Sequence, residues 1–166
     1  MPLAEEFEDS EYAIPRHRLE SRGHEVVVVG AERGAIVSGK GGREVVFLDR
    51  AAGQVSADDF DAVVIPGGRS PDKLRSDASV VALVRSFGAA GSVVAAVCHG
   101  PQLLIDAGLT RGRTITSWPS LRTDVENSGG KWIDKEVCVD GNLITSRTPS
   151  DLEVFSRAIL DKLATA

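Results

Sequence analysis

The stretch Val93-Val94-Ala95-Ala96-Val97-Cys98-His99-Gly100-Pro101 sets the architecture expected of this chain. Its five leading residues are small or β-branched and apolar, the signature of a strand buried on both faces. A cysteine stands where the strand stops, and Gln102-Leu103-Leu104-Ile105 reads as helix. Cys98 therefore sits on a sharp strand-to-helix turn, its sulfur at the carboxyl end of a sheet, as a cysteine version of the nucleophile elbow. The N–H groups that follow belong to the first turn of a helix. Their partial positive charge lowers a thiol pKa, in favourable cases from ~8.5 to well below 7. The same groups are suited to hold an oxyanion. The competing reading is a buried structural cysteine.

Outward from this turn, strands and helices alternate, which implies an α/β sheet with helices on both faces. Asp9 to Arg22 reads as a helix kinked or restarted at Pro15 and ended by Gly23. Glu25 to Val29 reads as a strand. Ala35-Ile36-Val37 and Glu44-Val45-Val46-Phe47 flank Gly39-Lys40-Gly41-Gly42 as a hairpin. Asp61 to Pro66 is a second buried strand, and Asp72 to Phe87 is helical by the spacing of Leu74, Val80, Val81, Val84 and Phe87. Thr114-Ile115-Thr116 is a short strand and Pro119 to Asn127 a short helix. Glu136-Val137-Cys138-Val139 and Leu143-Ile144-Thr145 form a hairpin turning at Asp140-Gly141-Asn142. A last helix starts at Thr148-Pro149, with Thr148 as its N-cap, and buries Leu152, Phe155, Ile159 and Leu163.

The 166 residues suit one domain spanning 1–166, and no repeat or linker interrupts them. With a net charge of −5 and no basic stripe, nucleic acid is not an expected partner. Apolar runs reach only about six residues, far short of a membrane span. The acidic start (Glu5, Glu6, Glu8, Asp9) is unlike a signal peptide. Two cysteines, Cys98 and Cys138, do not suggest a disulfide framework and fit a reducing, cytoplasmic setting. Three histidines without ligand spacing argue against zinc.

Pro66-Gly67-Gly68 ends one buried strand and Cys98 the other, so both reach the carboxyl edge where open α/β sheets bind ligands. An exposed N–H from Gly67 or Gly68, with that of His99, makes a two-donor oxyanion hole. The plain alternative is a tight turn needing positive φ. His99 is a proton carrier in one reading. In the other it is a helix-start histidine satisfied by its neighbours. The early acids read by default as a solvated helix start. Cys138 reads as a packing residue, and Trp118 either borders the site or packs, with packing favoured.

Together these pieces resemble the PfpI/ThiJ superfamily, and most closely its PfpI-type intracellular cysteine protease and deglycase branch. The resemblance runs from about Glu5 to Leu163. It is carried by Glu6-Phe7-Glu8-Asp9-Ser10-Glu11, Gly23-His24-Glu25-Val26, Ile65-Pro66-Gly67-Gly68-Arg69, Val97-Cys98-His99-Gly100-Pro101-Gln102 and Thr145-Ser146-Arg147-Thr148-Pro149-Ser150-Asp151-Leu152. It implies a single flavodoxin-like three-layer sandwich, similar to class I glutamine amidotransferases, with a mostly parallel central sheet and helices on both faces. It implies Cys98 as nucleophile, Glu8 against the sulfur with a raised pKa, and His99 as proton carrier. The carboxylate that orients His99 comes from a neighbouring subunit and matches Asp72 here, where the protease type more often has Glu. Gly68 carries over as an oxyanion donor. The implied activity is cysteine-dependent hydrolase or lyase action on reactive dicarbonyls such as methylglyoxal, or on their protein adducts, with no cofactor or metal. A PfpI-type peptidase is the alternative, and a non-enzymatic redox-sensing stress protein or chaperone is an alternative of another class. Homodimers or homohexamers are implied. So is an apolar strand before the acids, in the centre of the sheet. Only Met1-Pro2-Leu3-Ala4 stand there, so a truncated first strand is expected. Either the chain starts downstream of the natural start, or the fold tolerates the shortening.

Overall fold

A computed structural model describes residues 1–165. In chain order its elements are helix α1 (Asp9–Glu20) and four short strands: β1 (Val29–Gly30), β2 (Ile36–Ser38), β3 (Val45–Phe47) and β4 (Arg50–Ala51). Next come β5 (Ala62–Ile65), α2 (Ser70–Leu74), α3 (Ala78–Ala90), β6 (Val93–Val97) and α4 (Pro101–Asp106). The chain continues through β7 (Thr114–Ile115), α5 (Arg122–Asn127), β8 (Lys131–Trp132), β9 (Val137–Asp140), β10 (Leu143–Ser146) and α6 (Leu152–Leu163).

The central sheet has the order β5-β6-β10-β9. The first three strands are parallel, and β9 joins β10 as an antiparallel edge. All five residues of β6 are buried. Val94 and Ala96 face a core shared with Val80, Leu83, Val84 and Phe87 of α3. Val93, Ala95 and Val97 face the opposite core, built with Leu19 of α1 and with Leu152, Phe155 and Ile159 of α6. The unbroken apolar run is thus a period-two strand with an apolar layer on each side. The α/β sandwich read from the sequence is the fold observed.

Four local expectations change. Helix α1 runs through Pro15 without a break. The helix expected over 72–87 is two helices, because Asp77 accepts hydrogen bonds from Ser79 N–H (2.8 Å) and Val80 N–H (3.4 Å) and so caps a new start. Residues 119–127 divide into a 3-10 turn, Pro119–Leu121, and α5. Thr148 makes no backbone capping bond, and its Oγ1 instead donates to Asp151 Oδ2 at 3.2 Å.

Ahead of the acids, Met1–Leu3 runs parallel to residues 27–29. Leu3 N–H donates to Val29 O and Val29 N–H to Met1 O, with Pro2 opposite Val29 as a single bridge. The strand expected over 25–29 is consequently paired only near Val29 and Gly30. Between residues 24–27 and 59–64 lies a cavity of about 420 Å³, with Met1 at its wall. The Met1 ammonium is buried there, donating to Val27 O at 2.7 Å, and burial pulls its pKa down to about 5.

The β2–β3 hairpin is tied to α1 by one carboxylate. Asp9, almost fully buried, accepts backbone N–H bonds from Gly41 (2.7 Å), Arg43 (2.8 Å) and Glu44 (2.9 Å). A Cβ on Gly39 would stand 2.4 Å from Asp9 Oδ1, so only glycine fits there. Burial alone would raise the Asp9 pKa, but these three N–H groups together with Asp9's own outweigh it and hold the carboxyl below its usual value. Asp9→Ala strands these donors and is expected to cost about 3 kcal/mol, read by urea unfolding. Asp9→Asn should fall between the two. A loss below about 0.5 kcal/mol would mean that water replaces the carboxylate.

Candidate active site

Cys98 holds a left-handed backbone, φ +59°, which costs a non-glycine residue about 1–2 kcal/mol. The surroundings enforce it. Cys98 N–H donates to Ser146 O (3.0 Å), Cys98 O accepts from Trp118 N–H (2.9 Å), and Gly100 N–H closes the turn on Val97 O (2.8 Å). Cys98 is 7% exposed. The sulfur therefore stands at the carboxyl edge where the sequence put it.

The acids redistribute themselves. Glu8 does not meet the sulfur: its Oε2 pairs with Lys40 Nζ at 2.6 Å. The carboxyl beside Cys98 is Glu11, which is fully buried. Its Oε2 accepts Gly67 N–H at 2.7 Å, and its Oε1 has no hydrogen-bond partner. A Cβ on Gly67 would lie 2.6 Å from Glu11 Oε2, 2.9 Å from Cys98 Cβ and 2.9 Å from His99 N. Three groups thus converge on the space that glycine leaves open. The helix boundary explains the exchange. Asp9 is the first helical residue, so Glu8 is outside the helix as its N-cap, while Glu11 lies inside the first turn. Glu8 and Glu11 share a face by their i,i+3 spacing, which is the only sequence signal that points to Glu11.

Burial pushes the Glu11 carboxyl up to about 7, with opposition from Gly67 N–H, from the thiol and from Lys40, and further support from Glu8. The thiol is also pushed up, first by burial and then by Glu11, against the N–H groups of His99 and Gly68. The expected depression of the thiol is therefore reversed. A short helix start cannot outweigh loss of water and an adjacent carboxyl. What results is a protonated thiol beside a carboxyl whose pKa suits proton transfer near neutral pH.

Gly68 has φ +76°, and a Cβ there would stand 2.5 Å from both Glu6 O and Glu8 N. The Gly68 and His99 N–H groups favour the thiolate of Cys98, whereas the Gly67 N–H is occupied by Glu11 and is not free for an oxyanion. His99 Nδ1 lies 3.4 Å from Cys98 Sγ. Its ring stacks on Trp118, centroids 6.0 Å apart, and burial together with Lys40 lowers its pKa, leaving it neutral at pH 7. Of the two roles open to Trp118, the stacking on His99 gives it the one at the border of the site. Asp72 is exposed on α2, and among the described residues no hydrogen bond joins it to His99. Cys138 is buried mid-strand, its thiol against Thr114 O at 3.4 Å. Among the described residues no His, Cys, Asp and Glu group has the makings of a metal site, and no helix is long and apolar enough to cross a membrane.

Comparison with known proteins places this geometry. Residues 1–162 match the profile of the DJ-1/PfpI family. The chain is 45% identical over 160 residues to the Pyrococcus horikoshii protein named Deglycase PH1704, covering 96% of this chain and 95% of that one. It is 44% identical over 159 residues to the Escherichia coli protein named Protein/nucleic acid deglycase 2, covering 95% and 92%. Among solved structures, a two-domain protein from Anabaena variabilis with DJ-1/ThiJ/PfpI-like and ferritin-like domains superposes with a TM-score of 0.97 at 43% identity. That match covers 98% of this chain and 47% of the other, so the chain spans about half its length.

Glu11 ties stability to pH. Folded, it holds its proton up to about pH 7; unfolded, only to its ordinary 4.5. The folded state therefore binds more protons in between, and stability falls as pH rises through that window, by about 3 kcal/mol if Glu11 acted alone. Glu11→Gln should flatten this dependence in urea unfolding at pH 4.5 and 7.5, and should be the more stable protein at the higher pH. A variant with the same slope as the parent would show that Glu11 ionises freely.

Proposed function

The chain belongs to the DJ-1/PfpI family, and from that premise we propose that it is a cysteine-dependent enzyme acting on reactive dicarbonyls or on the adducts they form with proteins. The observation that carries this reading is Cys98 on its strained elbow beside the buried, proton-accepting Glu11. The relatives named deglycases support it at 44–45% identity over nearly the whole chain.

The chemistry follows from the arrangement. Glu11 takes the thiol proton as sulfur adds to the aldehyde carbon of methylglyoxal. A C–S bond forms, and the carbonyl π pair moves to oxygen. The N–H groups of Gly68 and His99, which favour negative charge at the sulfur, are the donors for that oxygen. Moving a proton from the aldehyde carbon to its neighbour, by Glu11 or His99, converts the adduct into a thioester. Water then releases lactate and restores the thiol. The sum is methylglyoxal plus water giving lactate, with no outside oxidant. With an aminocarbinol adduct, sulfur displaces the protein amine at the carbinol carbon: a C–S bond forms, the C–N bond breaks, Glu11 passes the thiol proton to the departing nitrogen, and the same hemithioacetal results.

A homo-oligomer in which Asp72 of a second copy orients His99 fits the exposure of Asp72. A cytoplasmic, single-domain enzyme fits the composition. A peptidase would use the same nucleophile, but a cysteine only 7% exposed favours a small carbonyl over an extended polypeptide. A redox sensor uses a resting thiolate, and burial and Glu11 push the Cys98 thiol up, against that form.

The test is methylglyoxal consumption and lactate formation by the purified chain. Cys98→Ser should abolish both. Glu11→Gln should lower kcat by about 100-fold or more, as loss of a proton carrier does. Lactate formation that survives in Cys98→Ser would overturn the assignment.

A further inference from the structure

The Glu8–Lys40 pair is not used by this chemistry, yet it is built into the frame of the elbow. Glu8 N–H donates to Gly67 O at 3.2 Å, and the Cα of Gly68 is packed against the Glu8 backbone. Lys40 N–H donates to Phe7 O at 2.8 Å, and its turn is clamped by Asp9. The two side chains differ in freedom. That of Glu8 is 12% exposed and further held by Ser10 Oγ at 3.3 Å, while that of Lys40 is 54% exposed. A fixed anion and a movable cation are therefore paired beside Gly67, the residue on which Glu11, Cys98 and His99 converge.

We propose that the Glu8–Lys40 ion pair is an electrostatic balance that positions the charge state of the Cys98–Glu11 couple, Glu8 opposing its ionisation and Lys40 favouring it. The inference deepens the enzymatic reading above and rests on it. The groups facing the couple are few. Helix α1 and its cap supply Glu8 and Glu11, the hairpin turn supplies Lys40, and the elbow supplies neutral His99 and its N–H. The turn after β5 supplies the N–H of Gly68. Arg69 and Lys73, the nearest other cations in sequence to that turn, are occupied by Glu6 at 3.1 and 2.8 Å. Lys40 thus acts on Glu11, Cys98 and His99, and Glu8 on Glu11 with opposite sign. Paired, their fields largely cancel; unpaired, either one acts alone.

The measurement is alkylation of Cys98 by iodoacetamide as a function of pH, followed by the mass of its peptide so that Cys138 does not contribute. It requires no turnover, so a chain inert toward methylglyoxal still answers it. Glu8→Gln leaves Lys40 unopposed and should speed alkylation at pH 7 by about threefold to tenfold. Lys40→Met leaves Glu8 unopposed and should slow it by a similar factor. The double variant should return near the parent rate, and Lys40→Arg should keep it. Both shifts should shrink in 1 M salt. Single variants that move in the same direction, or do not move, would overturn the proposal, as would a double variant that fails to return. Loss of folding would appear instead as faster alkylation of both cysteines in every variant.

Discussion

The hydrogen bond from Gly67 N–H to Glu11 Oε2, 2.7 Å long and wholly buried, is the constraint on which the rest of the site depends. It joins the first turn of α1 to the end of β5, and so fixes a helix against the carboxyl edge of the sheet. It also turns a carboxyl group inward, where no water can solvate it. The remaining acids of the same segment make the inward turn possible by taking other partners. Glu5 accepts from Ser38 N–H, Glu6 pairs with Arg69 and Lys73, Glu8 pairs with Lys40, and Asp9 closes the hairpin turn. What looks like a run of interchangeable acids is a set of separate attachments, each pointing in its own direction from one helix start.

The parts of this molecule that were legible in its sequence are those where one local pattern has one physical outcome. Five consecutive apolar residues before Cys98 have no stable home except between two layers, and β6 is there. Glycines between β-branched runs give the β2–β3 hairpin. The parts that were not legible depend on competition. A helix from 72 to 87 and two helices broken at Asp77 have nearly the same periodicity, and only the side-chain cap chooses between them. Glu8 and Glu11 are both acids on one face, and only the starting residue of α1 decides which is buried. The thiol was misread for a related reason. A helix start and a buried carboxyl push it in opposite directions, and the second partner lies 87 positions away in the chain, beyond the reach of any local pattern.

The electrostatics of the site follow from how little charge it holds at rest. The thiol keeps its proton, Glu11 titrates near neutrality, and His99 is neutral against Trp118. A resting site of this kind carries no exposed thiolate to be consumed by passing oxidants. In the proposed reaction, ionisation is left to the moment when a carbonyl carbon arrives to accept the sulfur's electrons. The reactivity of the cysteine then belongs to the couple it forms with Glu11 rather than to either group by itself.

The left-handed backbone at Cys98 reaches beyond chemistry to the history that such a chain can have. Glycine or asparagine would occupy that corner with less strain, and the backbone hydrogen bonds around it, to Ser146 and Trp118, would survive the exchange. Drift unopposed by selection would therefore erase this residue early, while leaving the sandwich around it intact. A copy of this fold that keeps a cysteine at the corner carries, in that one strained torsion, a record of continued use.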